Sequence, residues 1–194
     1  MGRTKPEGSA RERLLAAADG LFYSEGINST GVDAVIAEAQ VALGSLYNNF
    51  GSKDALVAAY LESRDSRWRE EWEACIAEHT DPVDRVLAIF TAIERWNRTV
   101  TTNRGCAHVA AAIQLNRASP GTVAALAHKT HLGERMLELV AAVGVSDPAQ
   151  VTQDILMIYE GMFTMLALAL DPDPVGRARR LATTLLQKEI TEAH

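Results

Sequence analysis

The chain has 194 residues, 47% of them hydrophobic and 23% charged, and carries a net charge of −6 at neutral pH. That length and apolar content suffice for a full core, in one domain or in a small domain joined to a larger one. The acidic balance excludes a general nucleic-acid coat, which needs Lys and Arg to neutralise phosphates, but leaves room for a specific reader.

The amino end, MGRTKPEGSA, lacks the apolar stretch of a signal peptide, so a cytoplasmic location is expected. Basic residues Arg3, Lys5, Arg11 and Arg13 concentrate there, where an arm and a first helix are placed to meet a DNA backbone. Ser9 and Glu12 have capping-box spacing, Leu14, Ala18, Leu21 and Phe22 form one stripe, and Gly26 marks a stop. A second helix is expected from near Gly31, with the Thr30 hydroxyl as its cap and Asp33 at its positive end. Val32, Val35, Ile36 and Ala39 give it one apolar face until Gln40 and Val41 break the pattern. The third helix, Ala42 to Asn49, buries Leu46 and turns Leu43, Ser45, Tyr47, Asn48 and Asn49 outward. Two short helices across a tight turn are helix-turn-helix geometry. The second enters the major groove and reads bases with its N-terminal half, here Leu43, Gly44 and Ser45.

Ser52 caps a long helix from Lys53 to about Glu78, with Leu61, Trp68, Trp72 and Cys75 along one side. Asp81-Pro82, Ser119-Pro120, Asp147-Pro148 and Asp173-Pro174 then each set a capping side chain ahead of a proline suited to the first helical position. With a short helix from about Cys106 to Asn116 the expected number of helices is nine, and no alternating strand pattern appears. The expected fold is all-α: a helix-turn-helix head over residues 1–52 and a six-helix body over 53–194.

The apolar run from Ile155 to Leu170 is shorter than the roughly 20 residues of a membrane span and contains Glu160, so a buried helix is expected and no membrane partner. Cys75 and Cys106 have neither disulfide-framework nor metal spacing and read as buried thiols. His128, His131 and Glu134 share a helical face without a further ligand in view, so no metal is expected. Phosphate loop, dinucleotide fingerprint, nucleophile elbow and HExxH motif are all missing, so neither cofactor nor catalytic residue is expected. The alternative reading is an all-helical enzyme that uses a pocket in the body.

The block Leu46-Tyr47-Asn48-Asn49-Phe50, followed by Gly51, Ser52 and Lys53, resembles the signature of TetR/AcrR-family transcriptional regulators over roughly the first 55 residues. The resemblance implies DNA contacts from Ser45, Tyr47, Asn48 or Asn49, and Lys53. Together with the arm and the helix starts, the expected DNA-binding set is Arg3, Lys5, Thr30, Leu43, Gly44, Ser45, Tyr47, Asn48, Asn49 and Lys53. Three departures stand out. Gln40 occupies a turn position usually held by Gly, Asp33 replaces a common Arg, and Leu43-Gly44 replace a more polar pair, which shifts readout toward contact with a thymine methyl.

For the body, the resemblance implies a largely apolar cavity for a small effector. Its expected lining is Trp68, Phe90, Ile93, Trp96, His108, Ile113, Tyr159, Met162 and Phe163, with His108 and Tyr159 as the polar groups. It also implies a homodimer through the last two helices, at Leu166, Leu170, Leu181 and Leu185. Such a dimer sets two reading helices about 34–36 Å apart, matching a near-palindromic operator. The expected function is a ligand-responsive repressor that a small, mostly apolar effector releases from a double-stranded operator.

Overall fold

Most helix starts follow capping side chains. In the computed structural model, which describes residues 8–99 and 104–193, Ser9 opens α1 (Ala10–Glu25) with both bonds of a capping box. Gly26 ends that helix at φ 95°, a conformation that costs a side chain dearly. Three further helices follow: α2 (Val32–Glu38), α3 (Leu43–Phe50) and α4 (Lys53–Ala77), the last capped by Ser52 Oγ accepting from the Ala55 amide at 3.1 Å.

All four acid-proline or serine-proline pairs open helices at the proline: α5 (Pro82–Thr99), α7 (Pro120–Ala141), α8 (Pro148–Ala167) and α9 (Pro174–Glu192). Asp81, Asp147 and Asp173 accept from backbone amides at 2.8, 3.0 and 3.0 Å, and Ser119 Oγ does so at 3.1 Å. With α6 (Ala107–Gln114), the described residues hold nine helices, and none is long and apolar enough to cross a membrane.

The chain forms two compact units, whose boundary falls inside α4 after Arg64 and inside α7 after Leu126. The first takes in the residues up to Arg64 together with Ala107–Leu126. This is more chain than the 1–52 segment read from sequence, because Ala107, Ala111 and Ala125 bury in the same cluster as Leu14, Leu46 and Leu56. Phe22 meets Tyr60 edge-on at 5.7 Å, and Arg64 reaches Asp19 at 2.8 Å while lying over the Tyr23 ring. His108, from α6, is buried with its Nε2 3.2 Å from the Leu61 carbonyl.

The second unit, Asp65–Cys106 with the chain from Ala127 onward, packs α5 and α8 against α9. Its core includes Trp72, Phe90, Ile93, Met136, Ile155, Tyr159 and Leu186. Arg95 forks onto Glu78 with two bonds of 2.7 Å, and Arg135 onto Glu73 with bonds of 2.7 and 3.0 Å.

Three expectations are corrected. Thr30 does not cap α2: its hydroxyl donates instead to the Gly26 carbonyl at 2.8 Å, and Gly31 is the N-cap with no side-chain bond. The run from Ile155 to Leu170 is not a buried helix. Within it Ile155, Tyr159 and Met162 are buried, at helical spacing, and Leu156, Ile158, Phe163 and Leu166 pack partly against the same core, leaving Met157, Leu168 and Leu170 at 74%, 63% and 63% exposure. Cys75 is buried, which pushes its thiol up to about 11, but Cys106 is only half-buried.

A Cβ at Gly121 would stand 2.6 Å from Leu115 Cδ1 and 2.9 Å from Val57 Cγ1. Gly121→Ala is therefore expected to lower the unfolding free energy by about 1–2 kcal/mol in urea denaturation, overpacking outweighing the helix-propensity gain.

Candidate nucleic-acid interface

The turn between α2 and α3 fixes how α3 is presented. At the end of α2 the Gln40 amide donates to the Ala37 carbonyl at 3.2 Å and the Val41 amide to Ile36 at 3.1 Å, the paired bonds of a Schellman turn. Such a turn needs a left-handed residue, and Gln40 supplies it at φ 51° without being glycine. Arg13 of α1 pins the same turn, its Nε donating to the Ala39 carbonyl at 3.1 Å.

From that turn α3 buries Leu46 completely and half-buries Phe50, over whose ring the Arg11 guanidinium sits at 4.9 Å. The opposite face carries exposed Leu43, Gly44, Tyr47, Asn48 and Asn49, with Ser45 half-buried at the edge. Leu43 is 46% and Tyr47 50% exposed, so two large side chains stand out in water where a core would have taken them. Asn49 Nδ2 donates to the Ser45 carbonyl at 2.7 Å, which ties one of its two N–H donors back to the helix.

Two of the sequence-derived candidates are placed elsewhere. Thr30 is 1% exposed and bonded to the end of α1, so its side chain has no route to a duplex. Lys53 is half-buried. Its ammonium donates to the Ile27 carbonyl at 2.8 Å and lies 5.9 Å from the Phe22 ring centre, so it holds a loop carbonyl that no helix satisfies. Arg3 and Lys5 fall outside the described residues. Gln114, which sequence reasoning missed, accepts from the Ile27 amide across 87 positions of chain, a separation that no local pattern encodes.

The second unit brings most of the proposed effector residues together. Trp68 lies 6.4 Å from Trp72, 6.0 Å from Trp96 and 6.5 Å from Tyr159, whose ring meets Phe163 edge-on at 5.0 Å. Phe90, Ile93 and Met162 are buried in the same core. Complete burial raises the Tyr159 phenol well above its ordinary value, so it stays neutral. The indole N–H groups of Trp68 and Trp72 are buried without an acceptor. The set does not include Ile113, which is 79% exposed because the short α6 turns Ala107, His108 and Ala111 inward instead. His108 itself belongs to the first unit.

His128 in α7 is buried with Nδ1 2.6 Å from Asp65, and Asp65 also meets Arg69 at 2.5 Å. Partial burial alone would raise the Asp65 carboxyl, but the hydrogen bonds from His128 and Arg69 outweigh it and hold the group at about 2. Burial pushes His128 below the ordinary imidazole value, so a neutral ring donating to a carboxylate describes the pair. A carboxyl depressed from its unfolded value of 3.8 stabilises the fold above that pH and ceases to as pH falls toward 2. The urea midpoint of Asp65→Asn is thus expected to lie furthest below that of the unaltered protein above pH 4, and the gap to close as pH falls from about 4 to about 2.

Residues 14–60 match the family described as bacterial regulatory proteins, tetR family. A crystal structure of a TetR-family transcriptional regulator from Streptomyces coelicolor superposes with a TM-score of 0.86 at 31% identity, covering 93% of this chain and 90% of that one. The HTH-type transcriptional regulator LmrA of Bacillus subtilis is 33% identical over 84 residues, 43% of this chain and 45% of that protein. QacR, an HTH-type transcriptional regulator of Staphylococcus aureus, is 29% identical over 63 residues, 32% of this chain and 34% of that protein. These matches span less than half the length of both curated relatives.

An all-helical chain with a helix-turn-helix head defines a DNA-reading regulator, and the near-complete match to the Streptomyces coelicolor structure is specific to one group. The chain belongs to the TetR family of transcriptional regulators. Members of that family are regulators and not enzymes, which sets aside the alternative of a catalytic body pocket.

Proposed function

We propose that the chain is a homodimeric, ligand-responsive repressor in the cytoplasm, where it holds a near-palindromic operator until a small, mostly apolar effector releases it. The observation that carries this reading is the exposed face of α3, where Leu43, Tyr47, Asn48 and Asn49 project from a helix whose other side is locked by Leu46. Tyr47 and the amides suit phosphates and base edges, and Leu43 suits a thymine methyl. With a net charge of −6 the protein depends on such fitted contacts more than on bulk attraction.

The homodimer is supported by exposed apolar side chains toward the carboxyl end. Leu170 and Leu181 are 63% and 54% exposed and Met157 74%, with Leu166 and Leu185 half-buried, an arrangement a lone chain in water disfavours. Twofold pairing there sets the two α3 helices about 34–36 Å apart, one turn of DNA. The effector seat is assigned to the aromatic cluster around Trp68. Its unpartnered Trp68 and Trp72 N–H groups favour a ligand that carries hydrogen-bond acceptors on an apolar frame. To act as a switch the effector must bind the released state about 5- to 150-fold better, the range of a 1–3 kcal/mol coupling.

Selection of genomic fragments by the purified protein is expected to enrich one near-palindromic site, and Ser45→Ala combined with Tyr47→Ala to abolish that enrichment while helix content is unchanged. An unaltered footprint in the double variant would sink the assignment. Leu181→Glu is expected to convert the protein to a monomer in sedimentation and to cost at least tenfold in affinity for the selected site, because half-sites are then held singly. All three tryptophans of the chain lie in the aromatic cluster, so effector binding is expected to change intrinsic fluorescence saturably.

A further inference from the structure

The loop that joins α1 to α2 is gripped from outside the helix-turn-helix segment. The Gln114 side-chain oxygen accepts from the Ile27 amide at 3.0 Å and from the Asn28 amide at 3.4 Å, and the Gln114 carbonyl accepts from Asn28 Nδ2 at 2.9 Å. From the other side Lys53 holds the Ile27 carbonyl at 2.8 Å. Gly26, beside the loop, leaves room for this approach: a Cβ there would stand 3.3 Å from the Gln114 side-chain oxygen, and φ of +95° disfavours any side chain. Gln114 is the last residue of α6, a helix also bound to α4 through the contact of His108 with the Leu61 carbonyl.

We propose that Gln114 is a positioning residue for DNA recognition: it fixes the α1–α2 loop, and through it the seat of α2 and α3, without touching DNA. The proposal rests on the reading of α3 as a DNA-reading helix. The chemistry of the grip is specific. The loop offers two backbone N–H groups with no helical partner, and a planar amide oxygen with two lone pairs meets both. Met has nearly the same length and shape but no such acceptor, whereas Glu keeps the acceptor. A phosphate contact differs from a positioning contact in one readable way. Removing the former flattens the salt dependence of binding by about one unit of slope, while removing the latter lowers affinity and leaves the slope alone.

The test compares the unaltered full-length protein with Gln114→Met, Gln114→Glu and Asn28→Ala, using the DNA site that the unaltered protein selects from genomic fragments. Affinity is measured over a series of salt concentrations, and hydrogen exchange is followed at the Ile27 and Asn28 amides. Gln114→Met is expected to lose roughly tenfold in affinity, the scale of one to two net hydrogen bonds, with an unchanged salt slope and faster exchange at both amides. Asn28→Ala is expected to weaken binding in the same direction, and Gln114→Glu to restore exchange protection and most of the affinity. Unchanged affinity in Gln114→Met, or an equal loss in Gln114→Met and Gln114→Glu, would overturn the proposal, as would a flattened salt slope. If the unaltered protein selects no DNA, the reading of α3 fails and the proposal falls with it. That result is distinct from selection that Gln114→Met leaves intact.

Discussion

The angle between α2 and α3 rests on a single turn, and that turn rests on one residue in an unfavourable conformation. Gln40 adopts φ 51°, where an L side chain costs roughly 1–2 kcal/mol, so the surroundings must make up the difference. They do so locally through the paired backbone bonds to Ala37 and Ile36, and at longer range through Arg13 on the Ala39 carbonyl. Complete burial of Leu46 then holds α3 against α1, since truncating a fully buried leucine typically costs about 2–5 kcal/mol. With its inner side settled in this way, α3 is free to leave Leu43 and Tyr47 in solvent. The same turn chemistry recurs after α8, where Ala169 stands at φ 51° and the Leu170 amide donates to the Met165 carbonyl.

Polar groups in the two units are satisfied very differently. In the first unit buried Thr30, Arg64 and His108 and half-buried Lys53 each have an addressee: Thr30 on Gly26, Arg64 on Asp19, His108 on Leu61, Lys53 on Ile27. In the second, the indoles of Trp68 and Trp72 and the Thr152 hydroxyl are buried with none. An unmet buried donor costs about 1–3 kcal/mol, so the aromatic cluster of the second unit carries a polar cost that those groups of the first unit avoid.

The paired charges add specificity more than strength. Arg95 on Glu78 and Arg135 on Glu73 are bidentate but face solvent, where ion pairs contribute little net stability. The pair formed by His128 and Asp65 lies deeper, and its hydrogen bond helps hold the Asp65 carboxyl at about 2, so it ties α4 to α7 in a pH-dependent way. The exposed leucines and Met157 work in the opposite sense, as apolar surface left uncovered within one chain.

What could be read from the sequence alone was whatever is decided within a few residues. Caps act over three or four positions, so Ser9 with Glu12, and Asp81, Ser119, Asp147 and Asp173, marked helix starts that the structure reproduces. The outward face of α3 was legible for the same reason, as was the stripe of Trp68, Trp72 and Cys75 along α4, whereas the turn position of Gln40 came from the family resemblance and its left-handed backbone from the structure. Tertiary structure decided where long side chains end up. Lys53 and Thr30 look like surface groups in sequence, yet one turns in to a loop carbonyl and the other back to the end of α1, because unpaired backbone groups there needed partners. Gln114 and Ile27 lie 87 residues apart, and only the packing of α6 in the first unit brings the acceptor to the amide. Local chemistry sets where most of the helices begin, and the demand that buried polar groups be paired decides which long polar side chains remain for solvent.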